Sequence, residues 1–160
     1  MDTVSPETRS RMMRAIKGVD TGPEMVVRRM VHAMGFRYRM HRRDLPGKPD
    51  LVFPRLRKVI MVHGCFWHRH EGCPFATVPR TRPDFWEAKF CRNVERDRTV
   101  RAALEALGWE ILVVWECQTD RPADLRRNLS RFLGSRSEPG GRPGNQTLDC
   151  AGLQNVICNG

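Results

Sequence analysis

The chain has 160 residues and a mass of 18.5 kDa, with 28 Lys+Arg against 18 Asp+Glu, a formal net charge of +10 and a pI of about 10.2. That length fits one domain and little more. A hydrophobic content of 40% supports a core, and the 29% of charged residues are mixed in sign, which excludes a disordered polyelectrolyte. The longest apolar runs, 59–62 and 111–115, fall far short of the roughly 18 residues that span a bilayer. The opening MDTVSPETRSRMMR has no apolar signal core. The expectation is therefore a cytoplasmic protein without a membrane partner, whose six cysteines act as thiols or metal ligands rather than disulfides. An excess of ten positive charges calls for a polyanion. Apart from Lys17, Lys48, Lys58 and Lys89 the basic residues are arginine, the side chain that forks onto phosphates. A GC-rich genome would account for that bias, but not for the net charge.

In chain order, residues 5–17 are predicted as a helix carrying Met12, Met13 and Ile16 among arginines, a stripe too poor to pack on a core and available to dock elsewhere. Thr21-Gly22-Pro23-Glu24 has capping-box spacing, and Val27, Met30, Val31 and Met34 form a helical face ended by Gly35. Residues 36–40 alternate as a half-exposed strand does. Residues 51–53 and 59–63 read as a hairpin, which puts Asp50 at a strand entrance. From about residue 83 a long amphipathic helix carries Trp86, Phe90, Val94, Leu104 and Leu107, with Gly108 as its stop. Residues 109–116 are apolar on both faces, as in a central, covered strand. A last helix over 122–133 presents Leu125, Leu129, Phe132 and Leu133. The fold class is α/β: a single domain over 1–133 with a mixed central sheet flanked by helices. Residues 134–160 hold six of the 13 glycines and no apolar periodicity, and read as a flexible tail in which Cys150 and Cys158 are unpaired thiols. The tail charges, Arg136 and Arg142 against Glu138 and Asp149, cancel, so the whole +10 belongs to 1–133.

The stretch His63-Gly-Cys-Phe-Trp-His-Arg-His-Glu-Gly-Cys73 has the ligand density of a metal site. Cys65, His70 and Cys73 supply three zinc-type ligands, with Cys117, just beyond the apolar strand, as the natural fourth. Four protein ligands close a tetrahedron and make the site structural. The plainer reading is free core cysteines with surface histidines. A deaminase is excluded, because the H-x-E and P-C-x-x-C signatures are missing, and C-x4-H-x2-C is not the spacing of a nucleic-acid-binding finger. Cys91 reads as packing.

Asp50 is the second candidate. A carboxylate at a strand entrance can hold magnesium against a phosphate, although a turn-forming aspartate is the commoner use of Pro-Asp. Across the hairpin lie His63 and His68, imidazoles able to deprotonate water near neutral pH.

TRSRMMRAI, DTGPE, LPGKPD, HGCFWHRH, PRTRPDFWEAKFCRNVERD and LGWEILVVWEC, taken together in this order, resemble the very short patch repair (Vsr) mismatch endonucleases from about Thr8 to Leu133. The resemblance implies a restriction-endonuclease-like fold and a magnesium-dependent nick 5′ of the thymine in a T:G mismatch left by deamination of 5-methylcytosine. It implies Asp50 as the magnesium ligand, His68 as general base, and His63 and Glu24 as supporting residues. Cys65, His70, Cys73 and Cys117 match the structural zinc ligands. Met13 would wedge into the base stack from one groove and Phe66, Trp67 and Trp86 from the other, with Lys89 and Asn93 near the mismatch. Where many related nucleases have the acid of (D/E)xK this chain has Val62, so a backbone carbonyl would have to serve the metal. Glu71-Gly72 also make the histidine-rich run one residue longer than is usual in the family. The implied partners are mismatched double-stranded DNA, other mismatch-repair proteins and a repair polymerase, met by a monomer at the nucleoid. Two alternatives stay open: a non-enzymatic zinc-stabilised DNA-binding protein, and a nuclease of the same fold with a restriction or modified-base target.

Overall fold

The computed structural model describes residues 7, 8, 11 and 18–134. Of the first helix expected over 5–17, the described residues 7, 8 and 11 are helical; Met13 and residues 135–160 lie outside the described residues. The elements are α1 (Gly22–Ala33), β1 (Leu51–Phe53), β2 (Lys58–His63), α2 (Pro83–Ala106), β3 (Glu110–Trp115), a 3-10 turn (Glu116–Gln118) and α3 (Pro122–Leu133).

Local chemistry sets the helix ends. Thr21, extended at φ −69° and ψ 159°, caps α1 by accepting the Glu24 N–H, and Pro23 occupies the first turn, where its missing N–H costs nothing. At the other end Gly35, at φ 87°, lets its own N–H reach the His32 carbonyl at 2.9 Å and the Phe36 N–H reach Val31 at 3.2 Å, a Schellman closure. Pro83 and Pro122 open α2 and α3 in the same way.

β1 pairs antiparallel with β2, Leu51 opposite Ile60, and β2 pairs parallel with β3, Lys58 opposite Glu110 and His63 opposite Trp115. The sheet order is β1-β2-β3. This corrects one expectation: β2, not β3, is the central strand. β3 is apolar on both faces because each face meets a core cluster, Leu112 and Val114 on one and Ile111 on the other, although only Val114 is buried. The expected strand over 36–40 is reduced to one bridge, Arg39 with Val52. β1 is only three residues long and offers little edge, and His41, at φ 44°, turns the chain away. Phe36 and Tyr38 still pack edge-on against Phe53, with centroids 6.4 and 6.2 Å away.

Period-two alternation splits the core. Leu51, Phe53, Ile60 and Val114 pack with Val27 and Val31 of α1 and with Leu125, Leu129 and Leu133 of α3. On the opposite face Val52 and Val59 meet Leu45, Leu104 and Trp109. Full burial of each such aliphatic side chain is worth about 1.5–3 kcal/mol. Gly47, at φ 69°, is required twice over: it needs left-handed backbone, and a Cβ there would collide with Val100 of α2.

Strand polarity then places the chemistry. Because β1 runs against β2 and β2 runs with β3, the start of β1 and the ends of β2 and β3 share one rim of the sheet. Asp50, His63 and Trp115 lie on that rim. Cys65 and Cys117 follow two residues beyond paired positions of adjacent parallel strands, and so emerge at the same level. The carboxyl ends of parallel strands are where α/β sheets gather their sites.

Candidate active site and cysteine cluster

Asp50 sits at the strand entrance with its side chain 18% exposed. Its Oδ2 accepts the Val62 N–H at 2.7 Å, while His41 Nδ1 stands 4.0 Å from Oδ1, beyond hydrogen-bond reach. Burial pushes the Asp50 carboxyl up to about 6, against the Val62 hydrogen bond, and the Glu24 carboxylate adds to the rise. Such a group gives up its proton near neutrality and gains from a nearby cation. Glu24, 3% exposed, belongs to a network on α1: its carboxylate accepts the Asp20 N–H at 3.1 Å and Arg28 Nη2 at 2.9 Å.

His63 ends β2 and stacks on His68, with ring centroids 3.9 Å apart and planes 11° from parallel. Burial holds the His63 ring down at about 4, helped by the neighbouring His68, so it is neutral at physiological pH. His68 Nδ1 lies 2.5 Å from Asp97 Oδ2 on α2. A carboxylate against Nδ1 fixes the orientation of the imidazole and turns Nε2 away from it, the arrangement in which a histidine serves as a general base.

The irregular segment after β2 turns tightly. His68 N–H reaches Gly64 O at 3.1 Å, His70 N–H reaches Cys65 O at 3.1 Å, and Arg69 takes φ 54°. These turns fold His70 and Cys73 back onto Cys65 and Cys117, and the four ligand atoms all lie within 4.8 Å of one another. His70 Nδ1 is 3.6 Å from Cys65 Sγ and 3.4 Å from Cys117 Sγ, and its ring stacks on Trp115 at 4.2 Å. Burial pushes the Cys65 thiol up to about 12 and also raises Cys117, whereas it lowers His70 toward the neutral ring that a metal takes. A bound cation is the ordinary means of turning such thiols into thiolates. The cluster can hold a metal ion.

Phe66 and Trp67, between those ligands, form an aromatic group with the N-terminal end of α2. Phe66 lies 5.0 Å from Trp67, 5.6 Å from Trp86 and 5.2 Å from Phe90. Trp86 is buried, while Phe66 and Trp67 are partly exposed. Lys89 Nζ stands over Trp67 at 4.9 Å and Trp86 at 5.5 Å, and Arg69 over Phe90 at 4.4 Å. Asn93 donates to the Trp67 carbonyl at 3.1 Å, which ties the loop to α2. Cations interleaved with aromatics form a surface suited to bases and phosphates.

Sequence reading missed three residues of this rim. Asp97 carried a signal: Trp86, Phe90, Asn93, Asp97 and Leu104 recur every three, four or seven residues, so Asp97 is an acid on the helix face turned toward the protein. Arg28 carried a weaker one, lying on the buried side of α1 next to Val27. His41, in a loop, carried none.

Comparison with known proteins places this α/β domain among DNA endonucleases. The family model described as DNA mismatch endonuclease Vsr matches residues 1–73. Two relatives are each 45% identical: the type II nicking enzyme V.XorIIP of Xanthomonas oryzae, over 82% of this chain and 96% of its own, and the DNA mismatch endonuclease Vsr of Escherichia coli, over 72% and 74%. The type II nicking enzyme V.NmeAIP of Neisseria meningitidis is 37% identical over 82% and 94%. The chain belongs to the Vsr family of endonucleases. Among the described residues no helix is long and apolar enough to cross a membrane.

Proposed function

We propose that this protein is a magnesium-dependent, zinc-stabilised DNA endonuclease that nicks one strand 5′ of the thymine in a T:G mismatch arising from 5-methylcytosine deamination. The observation that carries the reading is that Asp50, bonded to the Val62 backbone, shares one rim of the sheet with His63, on which the Asp97-paired His68 stacks, beside an aromatic loop. Asp50 Oδ1 is left to a hard cation, which wants oxygen ligands. In a strand pairing of this kind the N–H and C=O of one residue point to the same edge, so the Val62 carbonyl faces the Asp50 side. Magnesium, when bound, would offset charge developing on the scissile phosphate.

The chain's own residues do the rest. His68 Nε2 takes the proton of the attacking water, and Asp97 holds the imidazole and balances the imidazolium as it forms. His63, neutral and stacked, keeps the His68 ring in plane. Attack at phosphorus leaves a 5′-phosphate and a 3′-hydroxyl. Arginine-rich residues 1–133 draw the duplex in, with a binding constant that falls steeply with salt, while Phe66, Trp67, Trp86 and, from outside the described residues, Met13 test whether a base step opens. Lys89 and Asn93 stand next to those rings. The protein would work as a monomer on DNA in the cytoplasm.

Zinc suits the cysteine cluster on geometry. A tetrahedral ion with Zn–S of about 2.3 Å and Zn–N of about 2.05 Å gives nitrogen–sulfur edges of about 3.6 Å, beside observed separations of 3.6 and 3.4 Å. Cys65, His70, Cys73 and Cys117 would hold it and leave no open position, so its role would be to order the loop that carries Phe66, Trp67 and His68.

The test is cleavage of T:G, other mismatched and matched duplexes, labelled on each strand, with magnesium. Expected is a single nick on the thymine strand of the T:G duplex. Equal cutting of matched DNA would overturn the mismatch reading, and cutting undiminished in Asp50→Ala would overturn the assignment of the centre.

A further inference from the structure

Trp115 has no part in the reaction as described, yet its side chain lies between the cysteine cluster and the histidine pair. It ends β3 and directly precedes the turn that carries Cys117. The indole stacks on the His70 ring, with centroids 4.2 Å apart and planes 7° from parallel. It also meets the His63 ring edge-on, at 5.5 Å and 76°, a separation at which aromatic rings attract. His63 in turn stacks on His68, whose Nδ1 faces Asp97. A continuous file of side chains, His70, Trp115, His63, His68 and Asp97, thus runs from the cluster to the proposed general base.

The middle of this file is anchored on both sides. Trp115 is the register partner of His63 in the parallel pair of β2 and β3, so the two side chains leave the sheet on the same face. Past the strand, the Trp115 N–H donates to Gln118 Oε1 at 2.9 Å, which fixes the backbone where the turn begins. His70 is held from the other direction, because Nδ1 is the atom that faces the sulfurs of Cys65 and Cys117. Ligation through Nδ1 would set the plane of the His70 ring and draw electron density from it, and an electron-poor ring packs more strongly on an indole face. A second route to His68 exists through the backbone, since His68 and His70 share one tight turn.

We infer that Trp115 is a positioning residue: wedged between His70 and His63, it sets the plane of the His63–His68 stack, and so couples the cysteine cluster to the general base through side chains as well as through loop order. The indole reacts with nothing. Its one polar group is a donor that neither gives up nor takes a proton near neutrality, and its work is to keep two imidazoles from turning. This rests on His68 being the base of the proposed reaction.

The test uses the full chain loaded with zinc, and reads metal content, nicking kinetics and imidazole NMR on Trp115→Leu, Trp115→Phe and His70→Cys. Trp115→Leu should keep its zinc and lower kcat about 10- to 100-fold, as loss of a residue supporting a metal ligand does, with KM for DNA unchanged. Trp115→Phe, which restores a flat ring, should recover part of kcat. Ring-to-ring NOEs between His63 and His68 mark the stack; they should be present in wild type and lost in Trp115→Leu. His70→Cys keeps a zinc-type ligand but takes the imidazole off the indole, so it should retain zinc and still lose kcat, and adding Trp115→Leu to it should cost less than Trp115→Leu alone. Wild-type kcat in zinc-loaded Trp115→Leu, a fall confined to KM, or NOEs that persist there would each overturn the inference. Should Trp115→Leu not fold, His70→Cys decides: full kcat with zinc bound would show that loop order suffices and overturn the coupling. Wild-type kcat in His68→Ala would instead strike the assignment of the base, while the NOEs still judge whether Trp115 sets the stack.

Discussion

The rim of the sheet carries two candidate sites built on opposite principles. The cysteine cluster gathers soft donors from the ends of two parallel strands and from the turn between His68 and Cys73, with four ligand atoms and no open position. A few residues away, the Asp50 centre has one carboxylate, one backbone edge and a histidine pair reached from α2. On the proposed reading the first would be saturated by the protein and hold shape, whereas the second would admit water and phosphate and turn over. Closeness couples them, because His68 lies in the same short segment as Cys65, His70 and Cys73. Loss of the closed site should cost activity through disorder, and loss of the open one should cost activity with the fold intact.

The largest effect expected is at the open centre. Asp50→Asn should lower nicking on the order of 1,000-fold, equivalent to several kcal/mol of charge stabilisation, with a thermal midpoint near that of wild type; a variant that is inactive only because it has unfolded would erase the contrast. Cys117→Ser should do the reverse, with bound zinc lost and stability down by a few kcal/mol. Metal analysis and denaturant melts read this, and full stability without zinc would break the comparison. His63 comes next. Its folded-state value of about 4 lies below the ordinary 6.5, so the unfolded chain binds more protons between those pH values. The stability it contributes is present above pH 6.5 and is lost as pH falls toward 4, by about 3 kcal/mol in full. The measurement is the difference between wild type and His63→Asn at pH 7 and pH 4, so that Asp50, which shifts the opposite way, cancels.

Asp97→Asn sharpens the picture of the open site. It keeps the shape and removes the charge behind His68, and should lower kcat about 10- to 100-fold with KM unchanged. The smallest effect is on the magnesium requirement. Asp50 is held up at about 6, so below that pH a cation competes with a proton, and apparent magnesium affinity should fall roughly tenfold per pH unit. A requirement flat from pH 7 to pH 5 would mean that Asp50 is not the group titrated.

Much of this was legible in the chain, and for definite reasons. Thr21, Pro23 and Gly35 mark α1 because capping is local chemistry. Cys65, His70 and Cys73 announce a cluster because sulfur and imidazole are rare at that density, and Cys117 joined them because it follows the last strand. The misjudged elements were those whose state depends on a distant partner. The segment 36–40 alternates like a strand, yet it had only a three-residue edge to pair with, and the covered β3 looked central when its neighbours were decided elsewhere.

The amino-acid sequence by itself determined the basic charge, the ends of α1, α2 and α3, the hairpin, the family and the inventory of reactive groups, because each depends on composition or on residues a few positions apart. Tertiary structure alone decided which of those groups meet. Strand polarity brought Asp50 to the rim that holds His63 and Cys117. The 24-residue α2 carried Asp97 to His68 across 29 positions, and the return of the chain after Arg39 set His41 between Arg28 and Asp50. Contacts of that kind are fixed by packing in three dimensions, which a local pattern of residues does not encode.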